Sequence, residues 1–393
     1  MNPSPQSGDN ASREHIATRR VYYIGGFDPR GAGYYHRLYK EEAGKQIVHS
    51  GITMKVGRRS KISPHQHSWE IKSEHAGRST TTDYRFLGWD DIVRRHWESD
   101  LFKLLATTVK SYTKFVACGA LGRIRAHYRG PFFSGVYPII FLAVIAVFAV
   151  GCGIGSGIML AKTVSNFGSA LAAGLFIAAV CFWLGLKLAD RLGVLWLLRT
   201  YLFVYAWGEA IPDTLDQRLN EFSDIIARDQ GHQACDEIII VGHSVGSILA
   251  VSVLARVLDR HAEVQMRNVT LVTLGQCIPL LSLIPAAVPF RHELKTLVEH
   301  PDIPWLDMAA RADPLCFSQA DTAQVSGIGS PDVKWPRVHI VRPFKMFAPE
   351  KYRRIKHNKL RLHFQYLMAS DLPTDYDYFL MTAGLDRLSL PGT

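Results

Sequence analysis

Two stretches of this sequence carry no charged side chain, residues 130–161 and residues 163–186, and only Lys162 separates them. Each exceeds the about 20 apolar residues that a helix needs to cross a bilayer. Neither shows the polar face that a helix packed on a soluble core turns toward water. They are therefore expected to form a transmembrane helical hairpin. Residues 101–130 ahead of it hold Lys103, Lys110, Lys114, Arg123, Arg125 and Arg129 and no acid, and Lys187, Arg191 and Arg199 follow it. A basic excess on both outer flanks places them, and with them both termini, on the cytoplasmic side. The expectation is an integral membrane protein, of the inner membrane if the source is bacterial, with Ser165 in the turn on the far side.

Within the first run Gly151, Gly153, Gly155 and Gly157 alternate, but no strand-turn-helix unit surrounds them, so they suit close helix packing rather than a dinucleotide fold. Residues 193–207 are apolar but short and are interrupted by Arg199, which fits a helix lying in the interface. A third crossing would put the two halves of the chain in different compartments.

The net charge of +10 raises nucleic acid as a partner. No zinc-ligand spacing, RNA-binding aromatic motif or phosphate loop accompanies it, and the cations gather beside apolar segments. A membrane surface is the better reading, and no nucleic acid is expected. The six cysteines are scattered without a CxxC pair, which argues against a disulfide framework or a zinc site. His65, His67 and His75 lie close together but lack a partner at ligand spacing, so a loop or edge hairpin is expected and no metal. Residues 1–18 read as a disordered tail without the apolar core of a secretory signal.

The second constraint is the stretch EIIIVGHSVGSILA, residues 237–250. Ile238, Ile239, Ile240 and Val241 suit a strand buried on both faces, and a helical pattern begins at Ile248. Between them stands Gly242-His243-Ser244-Val245-Gly246. A serine on a sharp strand-to-helix turn is held clear of its own backbone, and only glycine fits two positions to either side. Residues 21–24 read as another strand, ending at Gly25-Gly26-Phe27-Asp28 and followed by a helix over 33–42. Residues 80–89 form a strand, Asp90 and Asp91 start a helix, and an amphipathic helix covers 212–228. Further strands are expected at 269–274, 305–310 and 338–341, with an apolar, proline-rich segment at 275–290 suited to a substrate pocket or a membrane-facing cap.

GHSVG, the Gly25-Gly26 strand and the chain order serine, acid, histidine together resemble the α/β-hydrolase superfamily, and the GHSxG form is similar to its lipases and esterases. The resemblance implies an α/β fold, a mostly parallel sheet with the acid two strands beyond the elbow strand and the histidine after the last strand. Ser244 then matches the nucleophile, Val245 with Gly26 or Phe27 the oxyanion donors, and Asp313 the acid. Asp307 competes but lies within its strand, whereas Asp313 lies at the C-terminal edge where such sites assemble. His363 matches the base. His357 competes from a run of cations that would disfavour an imidazolium, and reads as surface. His243 reads as a packing or pocket residue, because neighbours along a tight turn point apart.

The implied organisation is a tail (1–18), the first part of the hydrolase domain (19–115), the membrane hairpin with its interfacial helix (116–208) and the second part with the elbow (209–393). The chain departs from the family in carrying that hairpin between the early strands and the elbow. The implied activity is that of a membrane-anchored serine hydrolase, cleaving an ester or thioester, including lipid esters, through an acyl-enzyme without a cofactor. The alternative is an inactive scaffold or interaction protein on the same fold. Its mark would be a missing acid or an elbow serine buried out of reach.

Overall fold

A computed structural model describes residues 14–163, 166–232, 235–318, 321–329 and 334–388. The tail ahead of Glu14, and Ser165, lie outside the described residues. The chain divides into two units, Met1–Trp97 with Trp207–Thr393, and Glu98–Ala206.

The first unit is α/β, built on one mixed, mostly parallel sheet. Its strands are β1 (Thr18–Ile24), β2 (Thr53–Val56), β3 (Ser60–Ser63), β4 (Gln66–His75), β5 (Arg78–Leu87), β6 (Glu237–His243), β7 (Val269–Leu274), β8 (Trp305–Ala309) and β9 (Arg337–Ile340). They lie in the order β2-β4-β5-β1-β6-β7-β8-β9, with β3 paired to β4. From β5 to β9 every neighbouring pair is parallel, and the β2, β3 and β4 pairings are antiparallel. The chain leaves β1 toward the β5 side and leaves β6 toward the β7 side. The strand order therefore reverses between β1 and β6, and open parallel sheets place their ligands at the C-terminal ends of the strands at such a point.

The sequence of β6 explains its central place. Every residue of the strand is buried, and Ile238 to Val241 are fully covered. Each such side chain contributes roughly 1.5–3 kcal/mol by leaving water. β1 runs beside it in register, Ile24 opposite Gly242, so the two strands end level.

The helix after β1, Ala32–Ser50, continues beyond the expected 33–42. Its second half is held from far along the chain: the Glu42 carboxylate accepts from Ala369 N at 3.0 Å and Gln46 Oε1 from Ser370 N at 2.9 Å. His67 and His75 lie on β4 and His65 in the turn before it, and they diverge. His65 Nδ1 meets Glu221 at 2.8 Å and His75 Nδ1 meets the Gly51 carbonyl at 2.8 Å.

The second unit is helical. Arg129–Ala161 and Phe167–Arg191 are 33 and 25 residues long, and both are long and apolar enough to cross a membrane by length and composition. Many of their large side chains face outward, with Val147 at 74 % and Phe176 at 69 % exposure, while Leu142 and Ile145 are buried. Gly153 and Gly174 meet where the two helices touch. Asn166 caps the second helix, accepting from Gly168 N at 2.9 Å. Val194–Glu209, expected at an interface, is a helix in which Val194, Leu198 and Val204 are fully covered by protein. Arg199 in its middle donates from Nε to the Glu98 carbonyl at 2.9 Å.

Candidate functional site

The turn after β6 holds a non-glycine residue in the left-handed region. Ser244 has φ +57°, and among the described residues only one other non-glycine, Ala76, has a positive φ. An L-residue pays about 1–2 kcal/mol for that conformation. Neighbouring contacts hold it there: Ser244 N donates to Leu274 O at 2.9 Å, and Ser247 N and Oγ donate to Ser244 O at 3.0 and 2.6 Å. Both glycines of the motif are sterically required. A side-chain carbon on Gly246 would lie 2.2 Å from Ile24 O, and one on Gly242 would lie 2.6 Å from Gly246 O. The loop after β1 reaches the same point, since a carbon on Gly26 would lie 2.9 Å from Ser244 Cβ. Val245 directly precedes the helix Gly246–Arg260, where helix geometry leaves N–H groups without an intrahelical acceptor. Phe27 is buried, its ring stacked on Trp97.

Asp313 follows β8 in a tight turn, with its N–H on Ala310 O at 3.0 Å and its Oδ1 accepting from Leu315 N at 3.0 Å. His363 lies in the helix Lys359–Phe364, which Asn358 caps. The two side chains meet with Nδ1 2.7 Å from Oδ2, both almost wholly buried. A carboxylate only accepts, so Nδ1 carries the hydrogen of this bond, and in a neutral ring Nε2 is then the acceptor. His363 Nε2 is buried and has no hydrogen-bond partner. His243 closes the group: its Nε2 donates to His363 O at 3.0 Å and the rings lie 5.0 Å apart. Burial, then the neighbouring His363, pushes His243 down to about 3, so it is a neutral donor.

The competing residues lie elsewhere. Asp307 is buried within β8, accepting from Thr273 Oγ1 at 2.9 Å and Gln276 Nε2 at 3.4 Å, and burial pushes it up to about 7. Neither of its oxygens bonds to His363. His357 is exposed on the turn before the helix Lys359–Phe364.

Two features had no sequence signal. Cys277 Sγ lies 3.8 Å from Ser244 Oγ, and burial pushes this thiol up to about 12, so it stays neutral. Asp28 clamps the loop after β1. Its carboxylate accepts from Arg30 Nη2 at 2.6 Å and Tyr35 OH at 2.9 Å, and Arg30 lies 3.9 Å over the Tyr34 ring. Trp89 Nε1 donates to Gly25 O at 2.9 Å and fixes the other end.

The arrangement thus combines a hydroxyl on a strained turn, a histidine with a free acceptor nitrogen and a carboxylate behind it. Side chains of these types can act as nucleophile, base and orienting group, and no hydrogen bond joins Ser244 Oγ to His363 Nε2 here. The hydroxyl itself is turned to Cys277. Among the described residues no three His, Cys, Asp or Glu side chains are grouped to hold a metal ion. No family model, curated protein or solved structure matches the chain.

Proposed function

We propose that this chain is a membrane-anchored serine hydrolase of the α/β-hydrolase type that cleaves an ester or thioester, with lipid esters as the natural class. The observation that carries the reading is the buried Asp313–His363 pair, 2.7 Å apart, whose free Nε2 belongs to a ring packed against His243, next to the strained Ser244. The strand order supports it as well, with antiparallel strands at one edge and the serine and acid at the C-terminal ends of parallel strands.

In this mechanism Ser244 Oγ attacks the carbonyl carbon while His363 Nε2 takes its proton. Asp313 holds the tautomer and stabilises the imidazolium, and the N–H groups of Val245 and of Gly26 or Phe27 receive the oxyanion. The imidazolium then protonates the leaving alcohol or thiol, and water repeats the sequence on the acyl-enzyme. No cofactor takes part. The helices Arg129–Ala161 and Phe167–Arg191 cross the bilayer twice, leaving both termini in the cytoplasm.

Burial favours a second reading. Ser244 is 4 % exposed and His363 1 %, so an ester arrives only if the cover over them moves, and an inactive scaffold on this fold would look the same at rest. Turnover separates the two. The purified full-length chain in detergent is expected to hydrolyse p-nitrophenyl esters, faster when the ester is carried in micelles, and Ser244→Ala is expected to abolish this. No turnover with any chain length would favour the scaffold.

A further inference from the structure

Seven of the chain's ten net positive charges come from residues 342–361, which hold Arg342, Lys345, Lys351, Arg353, Arg354, Lys356, Lys359 and Arg361 against Glu350 alone. All of these cations except the half-buried Arg361 are exposed. Lys351 is paired to Asp371 at 2.7 Å and Arg353 to Glu350 at 3.1 Å. Arg342, Lys345, Arg354 and Lys356 have no ion pair among the described residues. A cluster of this density repels itself, and a folded surface keeps it at a cost unless something anionic offsets it.

The same segments expose apolar side chains. Phe344 is 55 %, Leu372 43 % and Leu360 36 % exposed. The segments are joined: the Phe344 ring packs against Tyr352 of the helix Pro349–Ile355, and Leu372 N donates to Met346 O at 3.2 Å. Cations interleaved with isolated large apolar groups suit the headgroup region of a bilayer, where lysine and arginine meet phosphates and the apolar groups enter the acyl boundary.

We infer that the surface formed by residues 342–361 and Leu372 seats on a leaflet containing anionic phospholipid. A charge-reading surface of nucleic acid would use the same cations but gains nothing from exposed Leu360 and Leu372. The seating bears on the candidate site because one helix serves both: Lys359 and Leu360 are at the exposed start of Lys359–Phe364, and His363 is buried at its other end. A leaflet held there would present an anionic lipid beside the candidate base. This inference rests on the proposed membrane anchoring and deepens the proposed lipid substrate to one in an anionic leaflet.

The test is amide hydrogen exchange on the full-length chain in nanodiscs of phosphatidylcholine, with and without phosphatidylglycerol. Exchange within 349–361 is expected to slow by roughly tenfold or more with phosphatidylglycerol, at about fivefold in binding per engaged cation. The slowing is expected to vanish in high salt and in the triple variant Lys345→Glu, Arg354→Glu, Lys356→Glu. Equal exchange in both lipids, or slowing that survives the triple variant, overturns the inference. So does slowing by added RNA where phosphatidylglycerol has no effect. Exchange needs no turnover, so an inert Ser244 would strike the hydrolase reading and leave this result standing. A chain that failed to enter phosphatidylcholine nanodiscs would strike the hairpin reading, and phosphatidylglycerol vesicles added to the detergent-solubilised chain would still report on the surface.

Discussion

At the end of β6 a side-chain carbon on Gly246 would lie 2.2 Å from Ile24 O, and between the two long apolar helices one on Gly174 would lie 2.7 Å from Gly153 O. Both places use glycine to bring backbone against backbone, yet the surroundings differ. Around Gly246 the strand, and the helix as far as Ala255, are buried, and the neighbouring Ser244 is held at φ +57°. Around Gly174 the backbone is ordinary helix, and large apolar side chains such as Phe176 face outward. Close approach in the first region stores strain beside a hydroxyl, and the fold supplies enough burial to offset it. In the second it serves packing alone.

The largest effects should come from the first region. Asp313→Asn and His363→Ala are each expected to lower ester hydrolysis by about ten-thousand-fold, the scale of losing one member of such a triad. Asp307→Asn and His357→Ala are expected to leave it within a few-fold. Steady-state rates at saturating ester decide this, and a dead His357→Ala with an active His363→Ala would reassign the base.

Gly246→Ala comes next. The added carbon has only backbone around it, so the variant is expected to lose activity and yield little folded protein. Gly174→Leu should push the two long helices apart while activity in detergent falls by no more than a few-fold. Similar damage from both, measured as folded yield and turnover, would erase the distinction between the regions.

Topology sharpens the comparison from the other side. Reporters fused at the N-terminus, after Arg228 and at the C-terminus are all expected to report cytoplasm, because two crossings return the chain to its starting side. An external C-terminal reporter would mean a third crossing and would separate Gly26 from Ser244.

The smallest effect is a pH dependence at His243. Its folded value, about 3, lies below the ordinary histidine value, so the folded state binds fewer protons than the unfolded one. Its contribution is full above about pH 6.5 and is lost as pH falls toward 3. His243→Gln removes that titration and keeps a donor for His363 O. Relative to the parent it should gain up to about 1.4 kcal/mol per pH unit below 6.5 in thermal or denaturant unfolding. A difference that does not change with pH would mean that His243 is solvated.

Much of the parallel sheet was legible because buried strands announce themselves. The run Ile238 to Val241 admits one placement, and the glycines around Ser244 report a steric need that acts within a few residues. Asp313 stood out from Asp307 by its position past the strand end, a local property too. What could not be read depends on distance along the chain. His243 meets His363 across 120 residues, Cys277 reaches Ser244 across 33, and Glu42 and Gln46 extend their helix past Gly44 by bonding to residues 369 and 370. The clamp of Asp28 on Arg30 and Tyr35 carries no local signal either, because it needs the helix that follows to be in place. The edge around His65 read as loop or hairpin because short polar strands carry little apolar alternation.

Whether Ser244 is an activated nucleophile is decided, without a known substrate, by covalent labelling with a fluorophosphonate probe on native membranes. One adduct is expected, on Ser244 in the peptide containing residues 237–250, absent in Ser244→Ala at equal expression and nearly absent in His363→Ala. Labelling of Ser244→Ala to the same extent as the parent, or an unlabelled parent under conditions where known serine hydrolases in the same membranes react fully, would contradict it.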